Sequence, residues 1–514
     1  MRHWSAGVGL LSGPAWNLPQ RFNMGVACSD AWVGEGRAAI IHERGDGRVE
    51  RLSFEALSEA SNRLANLLRA QGIMQGERVA VLLPQVPEAA MAHLAAYKLG
   101  AIAVPLFQLF GPDALEYRLG DCGAAAIITD TPEKLDGLDL PALRLILRPG
   151  PGWLDAASPH FTPVDTLAED PALIIYTSGT TGQPKGALHA HRTLLGHLPG
   201  VEWPQEMFPK AHDLFWTPAD WAWIGGLLDV LLPSLFHGVP VLAHRAAKFD
   251  PEFAFALMAK HEVRNAFLPP TALRVMRGVA KPAATRLRSI GSGGESLGAE
   301  MLEWGQETFG LTMNEFYGQT ECNLVVATSA GRFGCRPGWI GRAVPGHDVT
   351  ILGDADDGEI AVRRGSPSMF LGYWNRPEAT ARKFQGDWLL TGDRGACSDD
   401  GWFRFIGRDD DVITSSGYRI GPGEIEDALM RHPSVSAAAV IGVPDALRTE
   451  RVVAVVVLAQ GATADAAALQ DHVRQRVAAH AYPREVHFVN SLPMTATGKI
   501  MRGVLRRQFT EETA

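Results

Sequence analysis

Between Ile175 and Ala187 the chain reads Ile-Tyr-Thr-Ser-Gly-Thr-Thr-Gly-Gln-Pro-Lys-Gly-Ala, entered from the apolar stretch Ala172–Tyr176. Gly179, Gly182 and Gly186 let the backbone take strained conformations and bring its N–H groups close to an anion. Thr177, Ser178, Thr180 and Thr181 add hydroxyl donors, and Lys185 adds a point charge. Every atom class suits phosphate oxygens, so the run reads as a polyphosphate loop at the end of a strand. A Walker loop needs Gly-Lys-Ser/Thr opening a helix, whereas Lys185 follows Pro184 and precedes Gly186. A Ser/Thr/Gly surface turn shares the composition but not this residue order.

The loop sits in an α/β pattern. Arg78–Pro84, Ala101–Pro105 and Ala124–Thr129 read as short apolar strands, with helices predicted over Glu88–Leu99 and Ala114–Asp121. Strands apolar throughout and joined by helices imply parallel sheets covered on both faces. Ala172–Tyr176 would deliver the loop at the carboxyl end of such a sheet, where open α/β sheets bind ligands. At 514 residues more than one domain is expected. Gly392-Asp-Arg-Gly and Gly401–Arg408 read as a turn-rich β segment, and the pattern changes after Arg408. Beyond it come a helix (Ile425–His432), two strands (Ala437–Gly442, Val452–Leu458) and a helix (Asp465–Ala479). The predicted division is therefore residues 1–408, a large domain with parallel-rich sheets and a β subdomain, then a small mobile α+β domain over 409–514.

Composition narrows the class. A net charge of −9 argues against a broad nucleic-acid surface, and Asp229 and Pro233 interrupt the longest apolar stretches, which excludes a membrane span. Five scattered cysteines without metal spacing fit a reducing compartment, and the N-terminus is too weakly apolar for a secretory signal, so the cytoplasm is expected.

Downstream motifs give the loop a context. Ser292-Gly-Gly-Glu-Ser296, Asn314-Glu-Phe-Tyr-Gly-Gln-Thr-Glu321, Trp388-Leu-Leu-Thr-Gly-Asp393, Gly407-Arg-Asp-Asp-Asp-Val-Ile413, Ser415-Ser-Gly-Tyr-Arg-Ile420 and Pro493-Met-Thr-Ala-Thr-Gly-Lys-Ile-Met501 follow in order. Together with the loop they resemble the adenylate-forming (AMP-binding) superfamily of acyl-CoA synthetases, firefly-type luciferases and peptide-synthetase adenylation domains. The likeness extends from about residue 20 to 507, with two departures: Ser296 where a proline is usual, and Met494 where many relatives carry lysine.

The resemblance implies roles residue by residue. Gly294, Glu295, Ser296, Glu315, Phe316, Tyr317, Gly318, Gln319 and Thr320 would hold the nucleotide with the phosphate loop, Tyr317 offering its face to adenine and Thr320 a hydroxyl to the α-phosphate. Glu321, with Thr177, would hold Mg²⁺, since a hard cation takes oxygen ligands. Asp393 and Arg408 would bind the ribose. Lys499 would be the adenylation lysine, Asp410 the hinge within 409–411, and Gly417, Tyr418 and Arg419 the coenzyme A path. Trp221, Trp223, Ile224, Gly225, Gly293 and Gly318 would line the acyl pocket. Acetate-specific relatives close that pocket with a tryptophan at the position of Gly318, so a missing indole predicts an acid larger than acetate, medium-chain, aromatic or alicyclic. The implied reaction joins a carboxylic acid to coenzyme A through an acyl-adenylate, with ATP converted to AMP and pyrophosphate. No carrier domain follows Lys499, which favours free coenzyme A over a carrier protein. A P-loop phosphotransferase is disfavoured by the loop, and a non-catalytic binding protein by the presence of both Lys499 and Glu321. Nothing in the sequence fixes the oligomeric state.

Overall fold

The computed structural model describes residues 11–12, 15–177, 183–246, 248–294, 297–408, 411–415, 418–445, 448–477, 482–495 and 499–511. Ser178, Gly179, Thr180, Thr181, Gly182, Glu295, Ser296, Asp410 and Gly417, all expected in the site, lie outside them.

Among the described residues a first sheet runs, in spatial order, Gly372–Tyr373, Lys185–Ala190, Pro171–Thr177, Ile102–Pro105, Arg78–Leu82, Ala126–Thr129 and Leu145–Leu147. Its pairings from Pro171–Thr177 onward to Leu145–Leu147 are parallel, while Lys185–Ala190 returns antiparallel to Pro171–Thr177. The strands are apolar on both faces for the expected reason. Val79 and Val81 enter one core and Ala80 and Leu82 another, because successive side chains point to opposite sides of the sheet. Helices Pro87–Lys98 and Pro112–Cys122 begin with proline at the first turn, where its missing N–H costs nothing.

A second sheet orders Arg342–Ala343, Asn323–Ala327, Asn314–Gln319, Ser289–Gly293, Asn265–Phe267, Phe215–Trp216, Val241–His244, Ala38–Glu43 and Val49–Ser53. Its middle strands are parallel, and the carboxyl ends of Asn265–Phe267, Ser289–Gly293 and Asn314–Gln319 lie side by side. A smaller antiparallel sheet is built on Gly358–Arg363, Trp388–Cys397 and Phe403–Arg408.

Residues beyond 411 make their own sheet, in which Val435–Asp445 and Thr449–Leu458 form a long hairpin. Alternation again splits its residues. Val440, Ala454 and Val456 pack with Ile425 and Leu429 of helix Pro422–Met430, while Ile441, Val443, Val453 and Val455 pack with Leu505 and Phe509 of the terminal helix. This sheet is thus covered on both faces. No helix of the described residues is long and apolar enough to cross a membrane.

Candidate active site

The two strands that flank the phosphate loop are antiparallel neighbours: Lys185 pairs with Thr177, and the Thr177 hydroxyl donates to the Lys185 carbonyl at 3.4 Å. Tyr117 donates to the Pro184 carbonyl at 2.9 Å, fixing the exit of the turn. Lys185 is half-buried, its ammonium 5.1 Å from the centre of the Tyr373 ring.

Thr320 and Glu321 lie at the tip of a second hairpin, between Asn314–Gln319 and Asn323–Ala327. The Cys322 N–H donates to the Gln319 carbonyl at 3.0 Å, and Asn323 takes φ +60° to return the chain, a left-handed step that asparagine tolerates. The Glu321 carboxylate is buried and accepts from the Tyr373 hydroxyl at 2.5 Å. Among the described residues no three His, Cys, Asp or Glu side chains gather into a cage. One buried carboxylate beside a phosphate loop fits Mg²⁺, which keeps its waters and takes its remaining ligands from substrate phosphates.

Tyr317 donates to Asp393 at 2.6 Å, and the Arg408 guanidinium lies 3.2 Å from the other oxygen of the same carboxylate. Gln319 reaches Asp393 at 3.4 Å. Burial pushes the Asp393 carboxyl above the usual carboxylate range, against the opposing pull of Arg408, Tyr317, Lys383 and Lys499. The C-terminal lysine stands close to the large domain, its Cε 3.9 Å from where a Cβ on Gly294 would lie. Its backbone is held by Thr495, whose N–H donates to the Lys499 carbonyl at 2.8 Å and whose hydroxyl accepts from the Lys499 N–H at 3.0 Å.

Gly294 joins the two sides of the site. Its backbone has φ +98°, and a Cβ placed there would lie 3.7 Å from the Trp223 ring and 3.9 Å from Lys499 Cε. From Trp223 an aromatic wall runs inward, with ring centres 5.6 Å apart to Phe267 and a further 5.3 Å to Phe316. Glycines make the space for it: a Cβ at Gly225 would lie 2.7 Å from the Trp223 ring, and one at Gly293 2.4 Å from the Phe316 ring. The segment before the wall is shaped locally. Thr217 Oγ1 accepts from the Ala219 N–H at 3.0 Å and Asp220 Oδ1 from the Ala222 N–H at 2.8 Å. Ile224 opens the short helix Ile224–Gly226 that follows.

The surroundings of four expected residues are specific. In this backbone a Cβ at Gly318 would lie 1.8 Å from the Asn323 carbonyl oxygen and 2.5 Å from its carbon. A register shift between Tyr317 and Gly318 presses the strands together, so backbone packing demands the glycine. Phe316 turns its ring toward Phe267 and Gly293. The Glu315 carboxyl is buried and accepts from the Leu297 N–H at 3.0 Å. Trp221 is 1% exposed within the main core, whereas Trp223 is partly exposed beside Gly294. Tyr418 and Arg419 lie on a strand paired with Ile413–Ser415. Sequence reasoning missed Phe267 and Tyr373. The first sits in an ordinary apolar strand, and the second lies in a Gly-Tyr-Trp stretch with no chemistry of its own.

Comparison with known proteins fits this geometry. The AMP-binding enzyme profile matches residues 31–374, and the AMP-binding enzyme C-terminal domain profile matches 424–499. This chain belongs to the AMP-binding enzyme family. It is 36% identical to acyl-coenzyme A synthetase ACSM4, mitochondrial, of Mus musculus, over 96% of this chain and 91% of that protein. Among solved structures it resembles the anthranilate CoA ligase AuaEII in complex with anthranoyl-AMP, 27% identical over 97% of this chain and 99% of that one, with a TM-score of 0.89. It also resembles ATP-bound MatB from Rhodopseudomonas palustris, 28% identical over 96% of this chain and 99% of that one, at 0.86. Apo MatB, at the same identity and coverage, gives 0.77.

Proposed function

We propose that this AMP-binding enzyme is an ATP-dependent acyl-CoA synthetase acting on a carboxylic acid larger than acetate, and that its two half-reactions share one site at Gly294. The observation that carries this reading is the convergence at Gly294 of Trp223, which heads an aromatic wall, and Lys499, which comes from the C-terminal sheet region.

The acid's carboxylate oxygen attacks the α-phosphorus of ATP, the bond to the β-phosphate oxygen breaks, and pyrophosphate leaves. Positioning supplies most of the rate in such a displacement, because the reacting groups carry their own charge. Asp393 and Arg408 hold the ribose, Tyr317 offers its ring to adenine, and Lys185 with the loop residues 177–182 holds the departing phosphates. Lys499 donates hydrogen bonds to the carboxylate and α-phosphate oxygens, where charge is greatest in the transition state. Mg²⁺ at Glu321 and the phosphate oxygens would neutralise charge on the triphosphate. Coenzyme A thiolate then attacks the acyl carbon, and AMP leaves. For that step the unit 409–514 turns about Asp410, exchanging Lys499 for the Gly417–Arg419 segment. The same reading places the enzyme in the cytoplasm, in keeping with cysteines that are all unpaired.

The aromatic wall supports an acid with a chain or ring long enough to lie along Trp223, Phe267 and Phe316. A ring-bearing acid is favoured by the flat, offset aromatic surfaces it would meet. Pyrophosphate release measured over acetate, hexanoate, dodecanoate and benzoate tests this. Activity on acetate alone would overturn the size assignment, and no release with any acid would overturn the reaction.

A further inference from the structure

We propose that Tyr373 is a positioning residue for adenylation, joining the lysine of the phosphate loop to the metal-binding carboxylate. The inference rests on the roles given above to Lys185 and Glu321.

Tyr373 ends the two-residue strand Gly372–Tyr373 on the outer side of Lys185–Ala190, paired with Ala187. Alternation puts Lys185 and Ala187 on one face of their strand, so Tyr373 is the diagonal neighbour of Lys185 on that face. The Trp374 N–H donates to the Gly186 carbonyl at 2.7 Å and the Leu371 N–H to the Leu188 carbonyl at 2.7 Å, which fixes the register. The Thr380 hydroxyl accepts from the Tyr373 N–H at 2.8 Å. Behind the ring, Phe370 meets it edge-on at 5.1 Å, and the Phe370 N–H donates to the Glu321 carbonyl at 2.9 Å. A buried ring anchored on three sides has little freedom.

Its two outward contacts are both to groups that handle phosphate and metal. The ring face carries the Lys185 ammonium at 5.1 Å, an attraction between a cation and the negative face of the ring. The hydroxyl donates to Glu321 Oε1 at 2.5 Å, which leaves the second carboxylate oxygen for a metal. One rigid side chain therefore sets the spacing between the cation that takes the departing phosphates and the carboxylate that takes the metal.

Tyr373→Phe keeps the ring and removes the donor; Tyr373→Leu removes both. The direct test titrates Mn²⁺ into the enzyme with a non-hydrolysable α,β-methylene ATP analogue, following free Mn²⁺ by electron paramagnetic resonance. Thermal unfolding of each variant runs alongside. Tyr373→Phe should weaken Mn²⁺ binding about tenfold, the effect of losing one hydrogen bond to a charged group. Tyr373→Leu should in addition raise the KM for pyrophosphate in the reverse exchange about fivefold, through Lys185. Folded Tyr373→Phe that binds Mn²⁺ as the parent does would overturn the proposal. Glu321→Gln and Lys185→Ala serve as references. If they too leave Mn²⁺ binding and exchange unchanged, the reading of the site fails; if only they lose function, Tyr373 alone was misassigned.

Discussion

The two sides of the site are built by different physics. On the nucleotide side, Tyr317, Asp393, Arg408, Glu321 and Tyr373 meet through hydrogen bonds and charges at fixed distances. On the acyl side, Trp223, Phe267 and Phe316 meet through ring contacts, with Gly225 and Gly293 supplying the space. A polar group is replaceable by few residue types, so the nucleotide side writes itself into motifs. An apolar wall accepts many residues of similar volume, so the acyl side does not.

Changes at the junction and on each side should break this contrast in different ways. The largest effect is expected at the junction. Lys499→Ala should lower the rate of acyl-adenylate formation about 10²–10³-fold, as for removal of a transition-state donor. Thioester formation from supplied acyl-adenylate should persist; equal loss of both half-reactions, measured separately, would refute the division of roles.

Next comes Gly318, which sequence placed on the acyl side and the structure places in backbone packing. Gly318→Ala should destabilise the fold by about 3 kcal/mol or more, since the obstacle is the Asn323 backbone 1.8 Å from the new Cβ. Chemical denaturation reads this. A stable Gly318→Trp enzyme with new preference for acetate would return the residue to the acyl pocket.

Phe267→Ala should cost about 3 kcal/mol of stability and widen the range of acids accepted, while leaving the KM for ATP unchanged. A parallel rise in the KM for ATP would show that the two sides are not separable.

The smallest effect concerns pH. Burial, opposed by the Leu297 hydrogen bond and aided by Asp427, pushes the Glu315 carboxyl from 4.5 up to about 7. Between those values the folded protein keeps the proton that the unfolded chain releases, so stability falls as pH rises through the window. Glu315→Gln should flatten that slope; urea unfolding followed from pH 4.5 to pH 7 checks it.

Much of the architecture was legible. Arg78–Leu82 and Ile102–Pro105 are apolar on both faces because the sheet is covered on both, and that pattern survives in any sequence reading. The motif around Glu321 was legible because phosphate and metal chemistry demand those groups in that order. Phe316 and Glu315 show that a motif gives adjacency but not direction. Successive residues of a strand point to opposite faces, and only their neighbours show which face meets the ligand.

The sequence by itself determined which residues are candidates for a polyphosphate loop, a ribose carboxylate and an adenylation lysine, because each role needs a particular functional group at a particular chain position. Only the tertiary structure decided that a side chain at Gly318 would meet the Asn323 backbone, that Phe267 packs against Trp223, and that Tyr373 touches both Lys185 and Glu321. Those are properties of distances between residues far apart in the chain, and close packing sets such distances without leaving a local mark.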